Sequence, residues 1–164
     1  MVDERAYFCN CVRQHEKSMY ALAYSILKNE EDAADIMQEA ILKAYCNLDH
    51  LRDKKKFKSW ILSIVHNTAI ESLRKHHETV DIDEQWGLSA PEAKVDPAAK
   101  ITLWEAVQKL KQPYRTVVIL FYYDDLPILK ISEVTSTPSS TVRQQLFRAR
   151  KMLAGLLNKE DFDL

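Results

Sequence analysis

The apolar residues of this chain recur at intervals of three and four positions, the spacing that places side chains on one face of an α-helix. The pattern covers Tyr7 to Lys28, continues to about Asn47, and returns between Phe57 and about His76. Asn29 precedes a run of acidic residues, so its side chain is predicted to cap the second helix, whose positive end the acids favour. The first half is therefore predicted to be a bundle of three helices.

Composition supports an all-helical chain. Only two of the 164 residues are glycine, too few for most β-rich folds or phosphate loops, while 46% are hydrophobic, enough for packed cores. The three cysteines lack zinc spacing, so we expect reduced thiols, and neither a metal site nor a cofactor motif. No segment has the length of a membrane span and the N-terminus does not resemble a signal peptide, so we expect a cytoplasmic protein.

The helical pattern stops between residues 79 and 99, where two prolines, a glycine and many acids indicate a flexible linker. Further helices are predicted for Ile101 to Lys111, after Pro113, and for Pro127 to Val134. The predicted fold is all-α, with two small helical domains at 1–78 and 100–164. The first is a helical bundle and the second ends in a helix-turn-helix.

Charge is strongly segregated along the chain, although the net charge is only −1. Residues 51–77 hold seven Lys and Arg against two Asp and Glu, and residues 130–151 hold five against one. The segments 1–50 and 78–106 are acidic, with nine acids against five bases and seven against two. Two basic islands in such a chain indicate contact with phosphate at two places and with proteins elsewhere.

The last basic island contains the stretch STPSSTVRQQLFRARKML, which is predicted to be one helix starting at Pro138 with Thr137 as its cap. Five residues form its inward stripe: Val142, Leu146, Ala149, Leu153 and Leu156. The other side carries hydroxyl, Gln and Arg side chains, and no acid occurs between Glu133 and Glu160. These residue types contact phosphates and base edges in the major groove. An ordinary solvated basic helix would account for the charge, but not for the preceding short helix and turn.

Both halves resemble the extracytoplasmic-function (ECF) family of RNA polymerase sigma factors. In the second half the residues matching the family pattern are Pro113, Arg115, Ile131, Glu133, Val134, Pro138, Thr141, Val142, Arg143, Leu146, Arg148, Ala149 and Arg150. In the first half they are Asp35, Gln38 and Glu39 in DAADIMQEAILKAY, and Phe57, Trp60, Ile64, Asn67 and Arg74 in FKSWILSIVHNTAIESLRK. The likeness covers nearly the whole chain in the right order.

The resemblance implies an alternative sigma factor, without enzymatic activity, that binds core RNA polymerase at its clamp and flap regions. It would direct transcription by recognising promoter −10 and −35 elements and helping to melt the −10 region. It assigns Asp35, Gln38 and Glu39 to core binding. The −10 element would be met by Lys54, Lys55, Lys56, Lys58, Asn67 and Arg74, and the −35 element by Ser140, Arg143, Gln144, Phe147 and Arg148. The implied partners also include an anti-sigma protein, often membrane-anchored in the family, and no small-molecule substrate.

The recognition helix departs from the family pattern at three positions. Ser140 replaces a usual glycine, and Gln144 and Gln145 stand where small and basic residues are common. Two other functions fit the residues alone: a helix-turn-helix regulator that binds DNA without polymerase, and a helical adaptor that binds only proteins. Promoter-directed transcription, measured with and without core polymerase, distinguishes these two functions from that of a sigma factor.

Overall fold

The computed structural model describes residues 3–79 and 102–157, and within these ranges the chain forms helices and turns without a strand. The predicted all-α fold is confirmed. Most of the predicted linker lies outside the described residues. Its one described residue, Thr79, belongs to a helix. No helix of the described part is long and apolar enough to cross a membrane.

Three helices form the first unit: α1 (Glu4–Leu27), α2 (Glu30–Cys46) and α3 (Phe57–Thr79). They pack pairwise around fully buried side chains such as Met19, Leu22 and Ile61. The Asn29 side chain accepts a hydrogen bond from the Asp32 amide at 3.0 Å, which confirms the predicted cap of α2. Two short 3₁₀ turns, Leu48–His50 and Lys54–Lys56, connect α2 to α3.

Four helices form the second unit: α4 (Leu103–Lys109), α5 (Tyr114–Val118), α6 (Ile128–Thr135) and α7 (Ser139–Leu156). A π-helical turn, Ile119–Tyr123, extends α5, which was predicted as one continuous helix. The Thr102 hydroxyl and the Glu105 carboxylate cap α4 reciprocally. The core of the second unit contains Val107, Val118 and Ile119, together with Ala149 and Leu153 of α7.

Two predicted details of α7 are wrong. Thr137 does not cap the helix, because its hydroxyl donates to the Thr135 carbonyl and Pro138 occupies the cap position without a side-chain bond. Leu156 is 37% exposed, and Leu157 is buried in its place. The helix ends at Leu156 and Leu157 continues in an extended conformation, which turns the side chain of Leu157 onto the core.

One hydrophobic cluster spans the two units, beside the smaller cluster that belongs to the second unit alone. Val117, Leu120, Ile131 and Val134 of the second unit belong to the same buried cluster as Ile61 of the first. The packing is closest between α3 and α6, and the end of α5 also reaches α1. Helical periodicity shows which face of a helix is buried, but not which element covers that face. The contact between the units was therefore not predicted.

Candidate nucleic-acid interfaces

The turn between α6 and α7 fixes how the last helix is presented. Helix α6 ends at Ser136, which adopts a left-handed conformation with φ 52°. The Thr137 amide donates to the Ser132 carbonyl at 3.1 Å, and the Ser132 hydroxyl donates back to the Thr137 carbonyl. These bonds tie the start of α7 to the last turn of α6. The result is a helix-turn-helix with one helix face free.

The outer face of α7 carries the side chains that were predicted to meet DNA. Five residues are exposed there: Ser140, Arg143, Gln144, Phe147 and Arg148. Phe147 is 57% exposed, unusual for a large apolar side chain. Four residues of the predicted inner stripe, Val142, Leu146, Ala149 and Leu153, are buried. The helix thus separates an apolar inner face from an acid-free outer face.

Two polar residues beside this face point toward the protein itself, which their positions in the sequence did not indicate. Arg150 donates to the Tyr122 hydroxyl at 2.7 Å and lies over the Phe121 ring, so its guanidinium is turned toward its own unit. Gln145 is half-buried, and its Oε1 atom has no hydrogen-bond partner within the described part of the chain. Of the two adjacent glutamines, Gln144 alone is presented on the outer face.

The basic loop before α3 forms the second surface. Asp53 accepts a hydrogen bond from the Lys55 amide at 3.0 Å, which stabilises the turn carrying three lysines. Lys54, Lys55 and Lys56 are exposed, and the Lys54 ammonium lies 4.7 Å from the centroid of the Tyr7 ring. Such a turn presents several cations toward solvent, the arrangement that binds a phosphate backbone.

Lys58 does not join this cluster. It is half-buried, and its ammonium donates to the backbone carbonyl of Asp124 in the second unit. Asp124 itself is only 3% exposed, and burial raises the pKa of its carboxyl above the usual 3.8. A lysine predicted to contact DNA is therefore engaged by the protein itself.

Two clefts of about 320 and 330 Å³ flank Trp60. The first lies between the basic loop and α6; its lining comprises His50, Leu51, Arg52, Asp53, Lys56, Ser59, Trp60, Ser63 and Glu133. The second is lined by Lys43, Asn47, His50, Trp60, Ile64, Asn67, Thr68 and Glu71. His50 and Trp60 border both, a position that no local sequence signal indicated. Arg74 lies on α3 two turns beyond Asn67 and is exposed.

The exposed face of α2 carries the residues predicted to meet polymerase. Asp35, Gln38 and Glu39 are all exposed on this helix. Leu42 and Tyr45 extend the same face and are 66% and 49% exposed, so the surface is apolar as well as acidic. The sequence signal for these two was available but unused: both lie away from the stripe of buried alanines on α2.

An ion-pair chain joins α2 to α3 beside this face. Lys43 contacts Glu39 at 3.2 Å and Glu71 at 3.6 Å, and Lys75 contacts Glu71 at 3.5 Å. The two ammonium groups, Lys75 foremost, lower the pKa of Glu71. Glu39 thus lies at one end of this surface chain of ion pairs, and neither Asp35 nor Gln38 belongs to the chain.

Family models match both units. The Sigma-70 region 2 model matches residues 11–79 and the Sigma-70 region 4 model matches residues 100–153. The RNA polymerase sigma factor SigV of Bacillus subtilis is 35% identical, over 96% of this chain and 95% of its own. The ECF RNA polymerase sigma factor SigW of the same organism is 30% identical, over 89% and 86%.

Solved structures show the same fold. The sigma factor RpoE of Bartonella quintana, solved with the anti-sigma factor NepR, matches with a TM-score of 0.75 at 19% identity, over 96% of this chain and 98% of its own. CnrH, solved with the cytosolic domain of CnrY, matches with a TM-score of 0.65 at 20% identity, over 99% and 92%. With a region 2 unit, a region 4 unit and close relatives over its length, the chain belongs to the ECF family of RNA polymerase sigma factors, non-catalytic initiation factors that direct promoter-specific transcription.

Proposed function

We propose that this alternative sigma factor reads the −35 element with the outer face of α7. The observation that carries this assignment is the exposure of Arg143, Gln144, Phe147 and Arg148 on one acid-free side of a helix held by a helix-turn-helix. Arg and Gln can each form paired hydrogen bonds with a base edge, and Phe147 can contact a thymine methyl group. Ser140, at the helix start, is positioned for a backbone phosphate.

The −10 element is read by the loop and cleft before α3. Lys54, Lys55 and Lys56 neutralise phosphates, and the clefts beside Trp60 accept an unstacked base. Asn67 lines the second cleft, where its amide can hydrogen-bond a base edge, and the exposed Arg74 extends the basic surface along α3. Lys58 completes the set once it leaves Asp124. Holding a base outside the stack helps to melt the −10 region.

Core polymerase binds the exposed face of α2 through Asp35, Gln38 and Glu39, and the apolar Leu42 and Tyr45 enlarge the contact. Buried aromatic and aliphatic anchors supply much of the affinity in protein interfaces. This unit docks on the clamp and the second unit on the flap. The functional division is a core- and −10-binding domain at 1–78, a linker at 79–99 and a −35-binding domain at 100–164.

An anti-sigma protein is the expected regulator, because the structurally similar sigma factor RpoE was solved with the anti-sigma factor NepR. Some anti-sigma proteins are membrane-anchored, and the sigma factor itself acts in the cytoplasm, where polymerase and promoter DNA are found.

Run-off transcription with purified core polymerase tests the proposal. Promoter templates come from transcript start sites mapped in cells that overproduce the protein. We expect transcripts that require both core polymerase and this chain. Tight duplex binding by the chain alone, with no core-dependent initiation on any template, would instead establish a stand-alone regulator. Absence of both activities would favour a protein-binding adaptor.

A further inference from the structure

Lys43 belongs to helix α2, but its ammonium group lies at the second cleft beside Trp60. The ammonium contacts the Glu71 carboxylate of α3 at 3.6 Å and the Thr68 hydroxyl of α3 at 3.5 Å. All three residues line the cleft of about 330 Å³, together with Trp60 and Asn67. A cation from the helix proposed to bind polymerase is therefore placed among the side chains proposed to receive an unstacked base.

The contacts that hold the Lys43 ammonium are long. Its third oxygen partner is Glu39, one turn earlier on α2, at 3.2 Å. Well-formed bonds between an ammonium and a carboxylate measure about 2.7–2.9 Å. The Lys43 side chain is also 40% exposed, so an incoming group can reach the ammonium. A further oxygen atom can therefore replace Thr68 or Glu71 as its acceptor at little cost in energy.

Stability alone does not account for the position of Lys43. Ion pairs between exposed side chains add little to stability, because solvent screens them and ordering two long side chains costs entropy. Lys75 provides the comparison. It contacts Glu71 at 3.5 Å, but its side chain is 73% exposed and lies outside the described lining of both clefts. Of these two lysines with the same carboxylate partner, Lys43 is the one that borders a cleft.

The rest of the second cleft suits a nucleobase. Trp60 and Ile64 supply apolar surface on which a flat ring can stack, and the Trp60 ring lies 5.7 Å from that of the buried Phe57. Thr68 is buried, and its hydroxyl donates to the Ile64 carbonyl at 2.6 Å, so its oxygen serves as the acceptor for Lys43. The cleft thus combines a stacking surface with a positioned hydrogen-bond donor.

An ammonium group distinguishes bases by their acceptors, because it has three donors and no acceptor of its own. Guanine, cytosine and thymine each carry a carbonyl oxygen, whereas adenine has only ring nitrogens as acceptors and an amino group that is itself a donor. If the adenine amino group faces Lys43, two donors meet and neither is satisfied. An unsatisfied donor in a partly desolvated cleft is costly, so adenine is the base that fits least well.

We propose that Lys43 contacts the unstacked base of the −10 element directly: its ammonium donates to a carbonyl oxygen of that base, and the second cleft thereby rejects adenine. This inference rests on the proposed function, which brings the −10 strand to the clefts beside Trp60. Glu71 and Thr68 hold the ammonium at the cleft before the base arrives. Helix α2 then serves two partners, polymerase through its exposed face and the promoter through Lys43.

The test compares bases one position at a time. Holoenzyme is assembled from core polymerase and the full chain, and labelled single strands carry the −10 sequence of a mapped promoter. Each position in turn holds guanine, cytosine, thymine, adenine or an abasic sugar. Fluorescence anisotropy at saturating core polymerase gives the affinity for each strand, so that a change in core binding does not enter the comparison.

We expect one position at which the wild type binds the three carbonyl-bearing bases about tenfold more tightly than adenine, the size expected for a hydrogen bond to a charged group. Lys43→Met removes the donors with little change in side-chain length and should lose this difference at that position alone. Lys43→Arg keeps the charge and donors and should retain most of it. Lys75→Met is the matched control, because it removes the same charge beside Glu71, and should behave like the wild type.

Three results overturn the assignment. If Lys43→Met keeps the full preference against adenine, the ammonium does not meet the base. If Lys43→Met loses affinity equally for every strand, the abasic ones included, Lys43 contacts a phosphate or only maintains the fold. If Lys75→Met loses the preference to the same extent, the charge of the ion-pair chain matters rather than the position of Lys43 in the cleft.

Run-off transcription with the same proteins separates this inference from the proposed function. If the wild type starts transcripts at the mapped promoters and no position discriminates against adenine, the role of Lys43 is overturned while the sigma function stands. If the wild type neither starts transcripts nor binds the −10 strand, the proposed function fails and the inference fails with it.

Discussion

The two basic surfaces of this sigma factor differ in what covers them. On α7 the proposed −35 contacts project into solvent, and the neighbouring Arg150 donates a hydrogen bond to Tyr122. On the first unit Lys58 is bound to Asp124, and the neighbouring cleft is bordered by Glu133. Both surfaces are lysine- or arginine-rich segments in the sequence. Local charge therefore identifies a surface that can bind phosphate, and only packing determines whether that surface is free.

The largest expected effect is on the exposed surface. Arg148→Ala should weaken binding to a −35 duplex by about 1–3 kcal/mol, because a paired contact with a base edge is lost. Arg150→Ala, which removes the same charge from a side chain turned toward its own unit, should change the affinity much less. Fluorescence anisotropy with duplexes bearing single base changes measures both. Equal losses for the two variants, or reduced core binding by Arg148→Ala, would show that α7 is misassigned.

The next effect concerns polymerase rather than DNA. Gln38→Ala combined with Glu39→Ala should reduce core affinity by about 1–2 kcal/mol, the range of central interface residues. Gln14→Ala combined with Glu16→Ala removes the same residue types from the exposed part of α1 and should have no effect. Competition for core polymerase against a labelled sigma factor measures the difference. Unchanged affinity of the α2 variant contradicts the core assignment.

A smaller effect separates two lysines of the proposed −10 surface. Lys55→Ala should reduce single-strand affinity and lower the slope of log K against log salt by about 1, since Lys55 is exposed. Lys58→Ala should change both quantities less, because the Lys58 ammonium is held by the Asp124 carbonyl. An equal loss of affinity from both variants would remove the distinction between free and covered lysines.

The smallest effect is a pH dependence at the covered surface. Burial raises the pKa of Asp124 in the folded chain above 3.8, so its contribution to stability is present below that pH and is lost as the pH rises through the raised value. Asp124→Asn has no such titration. The melting temperature of the wild type should therefore fall relative to that of Asp124→Asn as the pH is raised from 4 to 7. A constant difference would contradict the burial of this carboxyl.

Much of the fold could be predicted because helix formation is largely a local property. Apolar spacing placed the main helices within a few residues of their observed ends, and Asn29 caps α2 as predicted. The errors lie at helix ends and irregular turns. Thr137 bonds within the turn rather than capping α7, and Leu157 replaces Leu156 where the helix stops. At such positions several local hydrogen-bond arrangements compete, and small energy differences decide between them.

The candidate sites also have parts that the sequence predicted and parts that only packing determined. The outer face of α7 was predictable, because an inward stripe at helical spacing leaves the opposite face to solvent. The full lining of the clefts beside Trp60 depends on tertiary packing, since it joins residues of α2, the loop, α3 and α6. The inward position of Gln145 was likewise not apparent from its neighbour Gln144.

By itself, the sequence determined the helices, their buried faces, the segregation of charge and the resemblance to ECF sigma factors, because each depends on residues close together in the chain or on a motif. The tertiary structure decided that α6 lies on α3, that Asp124 holds Lys58 and that Glu133 borders the cleft beside Trp60. The Lys58–Asp124 contact alone joins residues 66 positions apart. Such contacts depend on how two apolar surfaces fit together, which no local pattern specifies.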